Sequence, residues 1–416
     1  MTSSEPQDAH STLTVLLIGN YEPDRQESMQ RFANVLASDL PKRGVHVETC
    51  RPTPLFGRLA PSASGFGKWL GYIDKFLLFP ISLMRRTKRM RDGALTRKER
   101  FIVHICDHSN AVYTRCLRGI RYVVTCNDML AIRSARSEIK ENVTRWTGRI
   151  LQVWILNGLK RARAVACISE ATCADLLRLS ALPRDRVSVI YMGHNYPYYP
   201  LPHTEAKCEA WKVLGGGRGP TPWAPGFSFI LHVGGNHWYK NRVGVLAIYA
   251  AMRKQAAETK STVVPKLVMV GPVSTSATDS FLEKNPELGG DVVCVQDISN
   301  EGLRALYSSA ELLLFPSLEE GFGWPIIEAH ACGCRVVTTG KAPMTEVGGS
   351  ASVYLDPVWL EDEGGIQLAA KAVRDLLDEA APERERRTDE GLRNAARFST
   401  EKMIREYVCL YRRLTA

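Results

Sequence analysis

The residues with the clearest chemical potential lie in Pro316–Gly333, a stretch that follows one predicted strand and opens a predicted helix. Gly321 and Gly323 allow the backbone to approach a ligand closely, and Pro325 suits the first turn of a helix. The free N–H groups at the start of a helix bind phosphate well. The stretch therefore predicts a phosphate-binding turn between a strand and a helix.

Two carboxylates flank this turn. Glu320 comes directly before it and Glu328 lies on the predicted helix, with seven residues between them. A carboxylate accepts hydrogen bonds from the hydroxyl groups of a sugar or a ribose, so this arrangement predicts a nucleotide-sugar pocket. The alternative is a glycine turn that enters an amphipathic helix with surface glutamates. A G-x-G turn alone would favour that alternative, but two glycines, a proline and two glutamates in one fixed frame favour the pocket.

Alternating strands and helices predict the framework that positions this stretch. Continuous apolar runs separated by helices are typical of parallel sheets covered on both faces. The strands are predicted at 13–18, 45–49, 101–106, 121–126, 164–168 and 187–191, and then at 229–233, 266–270, 292–295, 312–315, 335–338 and 352–355. We therefore predict an α/β protein with two doubly wound, Rossmann-like domains that face each other across a cleft, with ligands at the carboxyl ends of the strands.

Composition sets the predicted domain boundaries. Six prolines and three consecutive glycines fall between residues 196 and 226, which is typical of a linker. We predict an N-terminal domain at 1–195, a linker at 196–226, a C-terminal domain at 227–397 and a final helix within 398–416 that packs back toward the N-terminal domain.

Polar residues follow three strands of the first domain at their carboxyl ends. Asp107-His108-Ser109-Asn110 follows one strand, Asn127-Asp128 follows the next, and a polar loop begins at Gly19. A doubly wound sheet places its ligand at this edge, so these loops are candidates for binding. We interpret His104, which lies inside a strand, as a core histidine.

The composition excludes several classes of protein. Hydrophobic residues make up 45% and charged residues 24% of the 416 residues, which excludes a mainly disordered, collagen-like or coiled-coil chain. No stretch approaches the roughly 18–20 uninterrupted apolar residues of a spanning helix, and the polar N-terminal residues do not resemble a secretory signal. The 11 cysteines form no C-x-x-C pair and are typical of buried, reduced thiols. We therefore expect a cytoplasmic protein.

The net charge of +10 is concentrated in one segment. Arg85–Arg100 contains eight Lys or Arg residues against two acidic ones, and it follows an aromatic and apolar run that begins at Phe66. This composition is typical of contact with an anionic membrane surface, here the inner face, through residues 66–100. The alternative is a core helix followed by a solvated basic loop. Nucleic acid is not an expected partner, because no RNP, zinc-finger or helix-turn-helix pattern accompanies the basic residues.

The stretch at 316–333 resembles the E-x7-E motif of retaining glycosyltransferases with the GT-B fold, family 4 in particular. The resemblance extends over nearly the whole chain: Phe229–Asn241 resembles the family's strand and lysine-bearing turn, and Ile168-Ser-Glu170 resembles its serine-containing turn. It implies transfer of a hexose from a nucleotide diphosphate sugar, with UDP or GDP as the nucleotide, to a hydroxyl of a glycan or lipid-linked acceptor in surface polysaccharide biosynthesis. It also implies that no metal ion or cofactor is needed, and the sequence contains neither D-x-D nor G-x-G-x-x-G.

On the donor side, the resemblance implies roles for the residues that match the motif. Glu328 would hold the ribose hydroxyls, Glu320 would hold hydroxyls of the transferred sugar, and Lys240 would neutralise the departing diphosphate. The backbone expected against the sugar and the diphosphate is that of Gly321, Phe322 and Gly323. The family usually has an arginine five residues before the lysine; here that position is Gly235, followed by Asn236, and Arg242 is the nearest replacement.

In the first domain, the resemblance implies a role for His108 as the histidine that contacts the donor sugar. The alternative for His108 is a loop residue beside a helix cap. The family commonly has His-Asp on the acceptor side where this chain has Asn127-Asp128, and an amide does not titrate, which argues against Asn127 as an acid or base. The loop that begins at Gly19 would approach the diphosphate and the acceptor.

Two groups of alternatives remain open from the sequence. Within the same fold, a sugar phosphorylase or a nucleotide-sugar epimerase would use similar residues. A non-catalytic protein that binds anionic ligands through the basic segment is the alternative of a different class.

Overall fold

The structure, a computed structural model, describes residues 12–59, 66–215, 227–259, 264–272 and 275–416. The chain divides into two compact units, one formed by Met1–Asn195 with Thr400–Ala416 and the other by Tyr196–Ser399. In each unit the described strands form a six-stranded parallel sheet. The predicted α/β fold with two doubly wound sheets is confirmed.

The first sheet consists of short apolar strands. They are β1 (Leu13–Ile18), β2 (Val45–Cys50), β3 (Arg100–Ile105), β4 (Tyr122–Cys126), β5 (Val165–Cys167) and β6 (Val187–Val189), arranged as β2-β1-β3-β4-β5-β6. β1, β4 and β5 are buried along their whole length, as expected of parallel strands covered on both faces. The strand order reverses between β1 and β3, and the carboxyl ends beside such a reversal form the usual ligand site.

The described residues of the first unit form six α-helices before the second sheet. They are α1 (Glu27–Asp39), α2 (Phe66–Ile73), α3 (Phe79–Thr96), α4 (Leu130–Ala135), α5 (Trp146–Lys160) and α6 (Glu170–Ser180). A π-helical turn, Asp74–Leu78, joins α2 to α3, so the backbone is helical from 66 to 96. The alternative of a solvated basic loop is therefore wrong up to Thr96, where most of the basic residues lie on α3. No helix in the described ranges has the length and apolar character needed to cross a membrane.

The second sheet repeats the architecture of the first. Its strands are β7 (Phe229–Val233), β8 (Lys266–Val270), β9 (Val292–Val295), β10 (Leu312–Phe315), β11 (Val336–Thr339) and β12 (Val353–Leu355), arranged as β12-β11-β10-β7-β8-β9. Its helices are α7 (His203–Val213), α8 (Arg242–Thr259), α9 (Ser276–Lys284), α10 (Asn300–Ser309), α11 (Trp324–Ala331), α12 (Met344–Gly348), α13 (Glu363–Leu377) and α14 (Ala381–Ala395). The strand order reverses between β10 and β7, which brings the loops after these two strands to one edge.

Helix α7 lies inside the segment that the sequence analysis treats as a linker. The six prolines of 196–226 form two clusters, at 197–202 and at 220–225, and the 17 residues from 203 to 219 contain none. A helix can form there because no ring removes a donor or clashes with the preceding turn. Residues 216–226 of the predicted linker lie outside the described residues.

The final helix, α15 (Thr400–Thr415), belongs to the first unit and carries a buried polar network. The two ring nitrogens of His104 each lie 2.7 Å from a hydroxyl oxygen, one of Tyr411 on α15 and the other of Thr125 on β4. The Tyr407 hydroxyl lies 2.9 Å from that of Thr125. Burial lowers the pKa of His104 to about 3, so the ring stays neutral. The interpretation of His104 as a core histidine is confirmed, and the network anchors α15 to the sheet.

Candidate functional site

The turn between β10 and α11 is shaped by a glycine in a left-handed conformation. Gly323, the residue before α11, has a φ of 106°, which a residue with a Cβ rarely adopts. Its carbonyl accepts a hydrogen bond from Ile326 N at 3.0 Å, and Pro325 lies in the first helical turn as predicted. The start of α11 therefore has the geometry that suits an anionic ligand.

Glu328 is buried on α11 rather than exposed to solvent. The residue is 4% exposed, and its Oε2 accepts a hydrogen bond of 3.0 Å from the hydroxyl of Tyr307 on α10. Burial first, and then the charge of Glu328, raise the pKa of Tyr307, so its hydroxyl remains a donor. The alternative of surface glutamates is therefore wrong for Glu328, whose carboxylate is held in place at the base of the turn.

Glu320 forms an ion pair with Lys240. Lys240 Nζ lies 2.6 Å from Glu320 Oε1, and the side chains are only 15% and 8% exposed. The two loops are also joined through their backbones, because Leu318 N donates to Tyr239 O at 2.8 Å. Two predicted site residues that are 80 positions apart thus meet beside the glycine turn. The pair is shielded from water, so its electrostatic attraction is stronger than that of a surface pair.

Arg242 binds backbone carbonyls instead of projecting into solvent. The residue is 5% exposed, and its Nη1 lies 3.0 Å from Pro272 O, 3.4 Å from Gly234 O and 3.0 Å from Asn236 Oδ1. The guanidinium therefore joins the loop after β7 to the loop after β8. It shapes the backbone around Gly235, whereas the sequence analysis named it as a replacement cation for the diphosphate.

Two residues that the sequence analysis did not single out shape the same loops. Gly271 has a φ of 153°, and a Cβ there would lie 2.2 Å from Gly234 O, so only glycine permits this approach. His232 is buried on β7, its Nδ1 lies 3.0 Å from Leu314 O, and burial lowers its pKa to about 4. The sequence signal that could have identified Gly271 is its position immediately after an apolar strand.

In the first unit, Asp107 is the centre of a buried polar cluster at the carboxyl ends of β1, β3 and β4. Its Oδ2 accepts from Asn20 Nδ2 at 2.6 Å, and its Oδ1 accepts from Asn127 Nδ2 at 3.2 Å. Its Oδ1 also lies 3.2 Å from His108 Nδ1. All four residues are at most 7% exposed. Asp107 therefore brings together the predicted residues His108 and Asn127, although the sequence predicts no role for Asp107 itself.

Within this cluster, Asp107 and His108 each favour the charged form of the other. Burial opposes ionisation of Asp107, but the hydrogen bonds from His108, Ser109 and Asn20 and the charge of His108 hold the pKa of Asp107 well below its usual value. Burial likewise opposes the charged form of His108, yet Asp107 raises the pKa of His108 above its usual value. The charge of Asp107 therefore favours protonation of the His108 ring, whose Nδ1 lies 3.2 Å from Asp107 Oδ1.

The remaining predicted residues of this edge have simpler environments. Asp128 Oδ1 accepts a hydrogen bond of 2.9 Å from Leu130 N, the first residue of α4. Gly19 N donates to Cys50 O at 2.9 Å, and a Cβ at Gly19 would meet no atom closer than 3.9 Å. In the described part of the chain no three His, Cys, Asp or Glu side chains are grouped to hold a metal ion.

Comparisons with known proteins match both units. The family described as Glycosyltransferase Family 4 matches residues 29–196, and the family described as Glycosyl transferases group 1 matches residues 218–394. The O-antigen chain mannosyltransferase B of Escherichia coli is 26% identical over 297 residues, which is 71% of this chain and 71% of that protein.

Solved structures resemble this chain over almost its whole length. Sucrose-phosphate synthase from Thermosynechococcus elongatus has a TM-score of 0.68 at 18% identity, covering 97% of this chain and 99% of that one. HepE from Anabaena, in complex with UDP and glucose, has a TM-score of 0.63 at 13% identity, covering 95% of this chain and 98% of that one. At these identities the likeness shows the fold.

Proposed function

Because the chain belongs to the family 4 glycosyltransferases with the GT-B fold, we propose that it transfers a hexose from a nucleotide diphosphate sugar to a hydroxyl of a surface polysaccharide or its lipid-linked precursor, with retention of the anomeric configuration. The observation that carries the proposal is the partly buried Lys240–Glu320 pair beside the glycine turn of α11. Mannose is the first sugar to test, because the E. coli relative is named as an O-antigen chain mannosyltransferase.

The second unit supplies the donor site in this proposal. Glu328 accepts hydrogen bonds from the ribose hydroxyls while Tyr307 fixes its carboxylate. The N–H groups of Gly321, Phe322 and Gly323 lie against the sugar and diphosphate, as free donors at a helix start favour negative charge. Either UDP or GDP fits this description, and HepE, solved with UDP, supports a nucleoside diphosphate.

Lys240 and Glu320 act at the reacting end of the donor. Glu320 accepts from hydroxyls of the transferred sugar, and Lys240 stabilises the charge that grows on the diphosphate as the glycosidic bond breaks. The two side chains pair with each other at 2.6 Å, which fixes the position of each for the donor. The proposed reaction uses no metal ion or cofactor, because the fixed lysine and the start of α11 supply the positive charge.

The first unit supplies the acceptor side. The cluster around Asp107 holds His108 with its Nδ1 directed to the carboxylate, which leaves Nε2 to contact the donor sugar. In this proposal Asn127 accepts a hydrogen bond from the acceptor substrate, because the buried Oδ1 of Asn127 has no hydrogen-bond partner among the described residues. A hydroxyl-bearing acceptor is the chemistry that such an amide oxygen recognises.

A donor screen followed by product analysis tests this function. We expect one sugar nucleotide among UDP, GDP, ADP and TDP sugars to stabilise the protein, by about 2.7 kcal/mol at a concentration 100 times its Kd. With that donor, octyl α-mannoside as a probe acceptor and EDTA present, we expect release of the nucleoside diphosphate. Proton NMR of the product should show the anomeric configuration of the donor.

The other functions give different results in the same assays. Formation of a sugar phosphate from inorganic phosphate would identify a phosphorylase, and conversion of the donor without any acceptor would identify an epimerase. Absence of stabilisation by every sugar nucleotide would leave a non-catalytic binder of anionic ligands.

We also propose that residues 66–100 dock on an anionic membrane, where a lipid-linked acceptor is found. Trp69, Leu77 and Met84 are exposed apolar residues of this segment. Three cations that follow them on α3, Arg85, Lys88 and Arg89, are exposed and form no ion pair among the described residues. Arg86, by contrast, pairs with Glu48 at 2.8 Å. Exposed apolar residues followed by uncompensated positive charge suit an anionic bilayer surface.

Replacing Arg85, Lys88 and Arg89 with Gln should weaken binding to vesicles that contain phosphatidylglycerol by about 10²-fold, since each basic residue near the surface contributes about 1 kcal/mol. Flotation with increasing lipid measures this. The matched control replaces three exposed cations of the second unit with Gln: Lys254, Lys284 and Arg393. Equal binding of the wild type to neutral vesicles, or none to either kind, would contradict the proposal.

A further inference from the structure

Helix α5 presents an apolar face to solvent. Trp146, Ile150, Val153 and Trp154 are between 44% and 73% exposed, and their spacing places them on one side of the helix. The opposite side packs into the core of the first unit through buried residues such as Leu159. Single exposed apolar residues are common, but a contiguous group of large ones marks an interaction surface.

This face is continuous with aromatic residues of α2 and of the π-helical turn that follows it. The Trp154 ring lies 6.2 Å from that of Phe76, which is followed by Tyr72 at 5.5 Å and then by Trp69 at a further 5.7 Å. Successive ring contacts therefore extend from α5 to the segment proposed above to dock on membranes. The apolar surface is larger than the 66–100 segment alone.

A cavity of about 490 Å³ in the same unit has only positive charge in its lining. Four arginines line it, and none of them forms an ion pair among the described residues: Arg115, Arg118, Arg161 and Arg163. Tyr122, also in the lining, donates a hydrogen bond of 2.9 Å to the carbonyl of Arg161 and so fixes the backbone there. Guanidinium groups repel one another unless an anion lies among them, and their planar forks match phosphate oxygens.

The cavity and the apolar face meet at Trp154. The guanidinium of Arg115 lies 5.5 Å from the Trp154 ring centre, which is a cation–π contact. Arg161 follows the last residue of α5, seven positions after Trp154, so it continues the same side of the helix. An aromatic and apolar surface that ends in a guanidinium-lined cavity suits a lipid with apolar chains and an anionic headgroup.

We propose that the α5 face and the arginine cavity form a second membrane-docking site, in which the four arginines bind the headgroup phosphate of an anionic phospholipid. This rests on the membrane docking proposed above and adds to it a defined headgroup site. The absence of any carboxylate from the cavity lining favours an anionic bilayer as occupant over a second copy of this chain.

Vesicle flotation of the full chain tests the site. Replacing Arg115, Arg118, Arg161 and Arg163 with Gln should weaken binding to phosphatidylglycerol vesicles by about 10²-fold or more, and binding to phosphatidylcholine should remain weak throughout. Replacing Ile150 and Val153 with Ser should weaken binding to the same vesicles without changing the charge. The matched control replaces four exposed cations elsewhere with Gln: Lys254, Lys284, Arg393 and Arg405.

Other results of these vesicle experiments would contradict one or both of the membrane proposals. Wild-type binding by the four-Gln variant, together with lost binding after replacement of Arg85, Lys88 and Arg89, overturns this site and leaves the 66–100 segment standing. Retained binding by both variants overturns both proposals. If the cavity binds soluble glycerol phosphate but the four-Gln variant binds vesicles as well as the wild type does, the assignment to a lipid headgroup is wrong. It is also wrong if the chain forms a dimer that the Ile150 and Val153 replacements dissociate. Stabilisation by the donor is measured on the same variants and should not change. The lipid-site proposal can therefore fail without contradicting the proposed transferase function.

Discussion

Lys240→Ala is expected to lower turnover about 10²–10³-fold while it weakens donor binding much less. Charge on the diphosphate grows as the glycosidic bond breaks, and a fixed cation stabilises that later state more than the ground state. Lys240 is held by Glu320 at 2.6 Å and is only 15% exposed, so it acts from a preorganised and poorly hydrated position. Arg242 cannot replace it without giving up its bonds to the carbonyls of Gly234 and Pro272. Initial rates at saturating donor, with donor Kd from titration, measure the two effects separately.

A neighbouring ion pair supplies the matched control. Lys341 Nζ lies 2.5 Å from Glu319 Oε1, one position before Glu320, but the lysine is 41% exposed and has no predicted role. Lys341→Ala should leave turnover within a few-fold of the wild type. The double variant Lys240→Ala, Glu320→Gln removes the unpaired carboxylate that Lys240→Ala alone leaves behind. If the double variant, or Lys240→Ala at saturating donor, recovers near wild-type turnover, Lys240 does not act on the leaving group.

The framework around this pair could be read from the sequence because parallel strands are continuous apolar runs. The strands at Phe229–Val233, Lys266–Val270 and Val292–Val295 have the predicted bounds, since polar or glycine residues end each run. Helix α7 was not predicted, because the surrounding prolines set the average composition of 196–226 and masked 17 residues without any. Composition averaged over a window hides a helix that fits between two breakers.

The pairing of side chains could be predicted only in part. Glu320 and Glu328 belong to one motif of nine residues, so their closeness to the glycine turn follows from local geometry. The contact of Lys240 with Glu320 depends on the order of β7 and β10 in the sheet, which the sequence does not specify. The role of Asp107 depends in the same way on partners in the loops after three strands, whereas the family resemblance alone implies a role for His108.

Glu328→Ala is expected to weaken donor binding at least about tenfold without unfolding the chain. In the proposed complex the carboxylate accepts hydrogen bonds from the ribose, and a bond to a charged group contributes about 1.5–3 kcal/mol. Because Glu328 is 4% exposed and held by Tyr307, little reorganisation is needed before the nucleotide binds. Calorimetric titration with the donor found in the screen, and with its nucleoside diphosphate alone, gives the two affinities.

Two companion variants separate binding from structural support. Glu328→Gln keeps the shape and an acceptor oxygen but removes the charge, so its loss of affinity should fall between those of the wild type and Glu328→Ala. Tyr307→Phe removes only the 3.0 Å hydrogen bond behind the carboxylate and should change affinity less than Glu328→Ala does. Since the ribose is common to the donor and the free nucleoside diphosphate, Glu328→Ala should weaken both by the same factor. A folded Glu328→Ala protein with wild-type affinity for both would show that this carboxylate does not hold the nucleotide, and a loss confined to the sugar nucleotide would assign Glu328 to the transferred sugar.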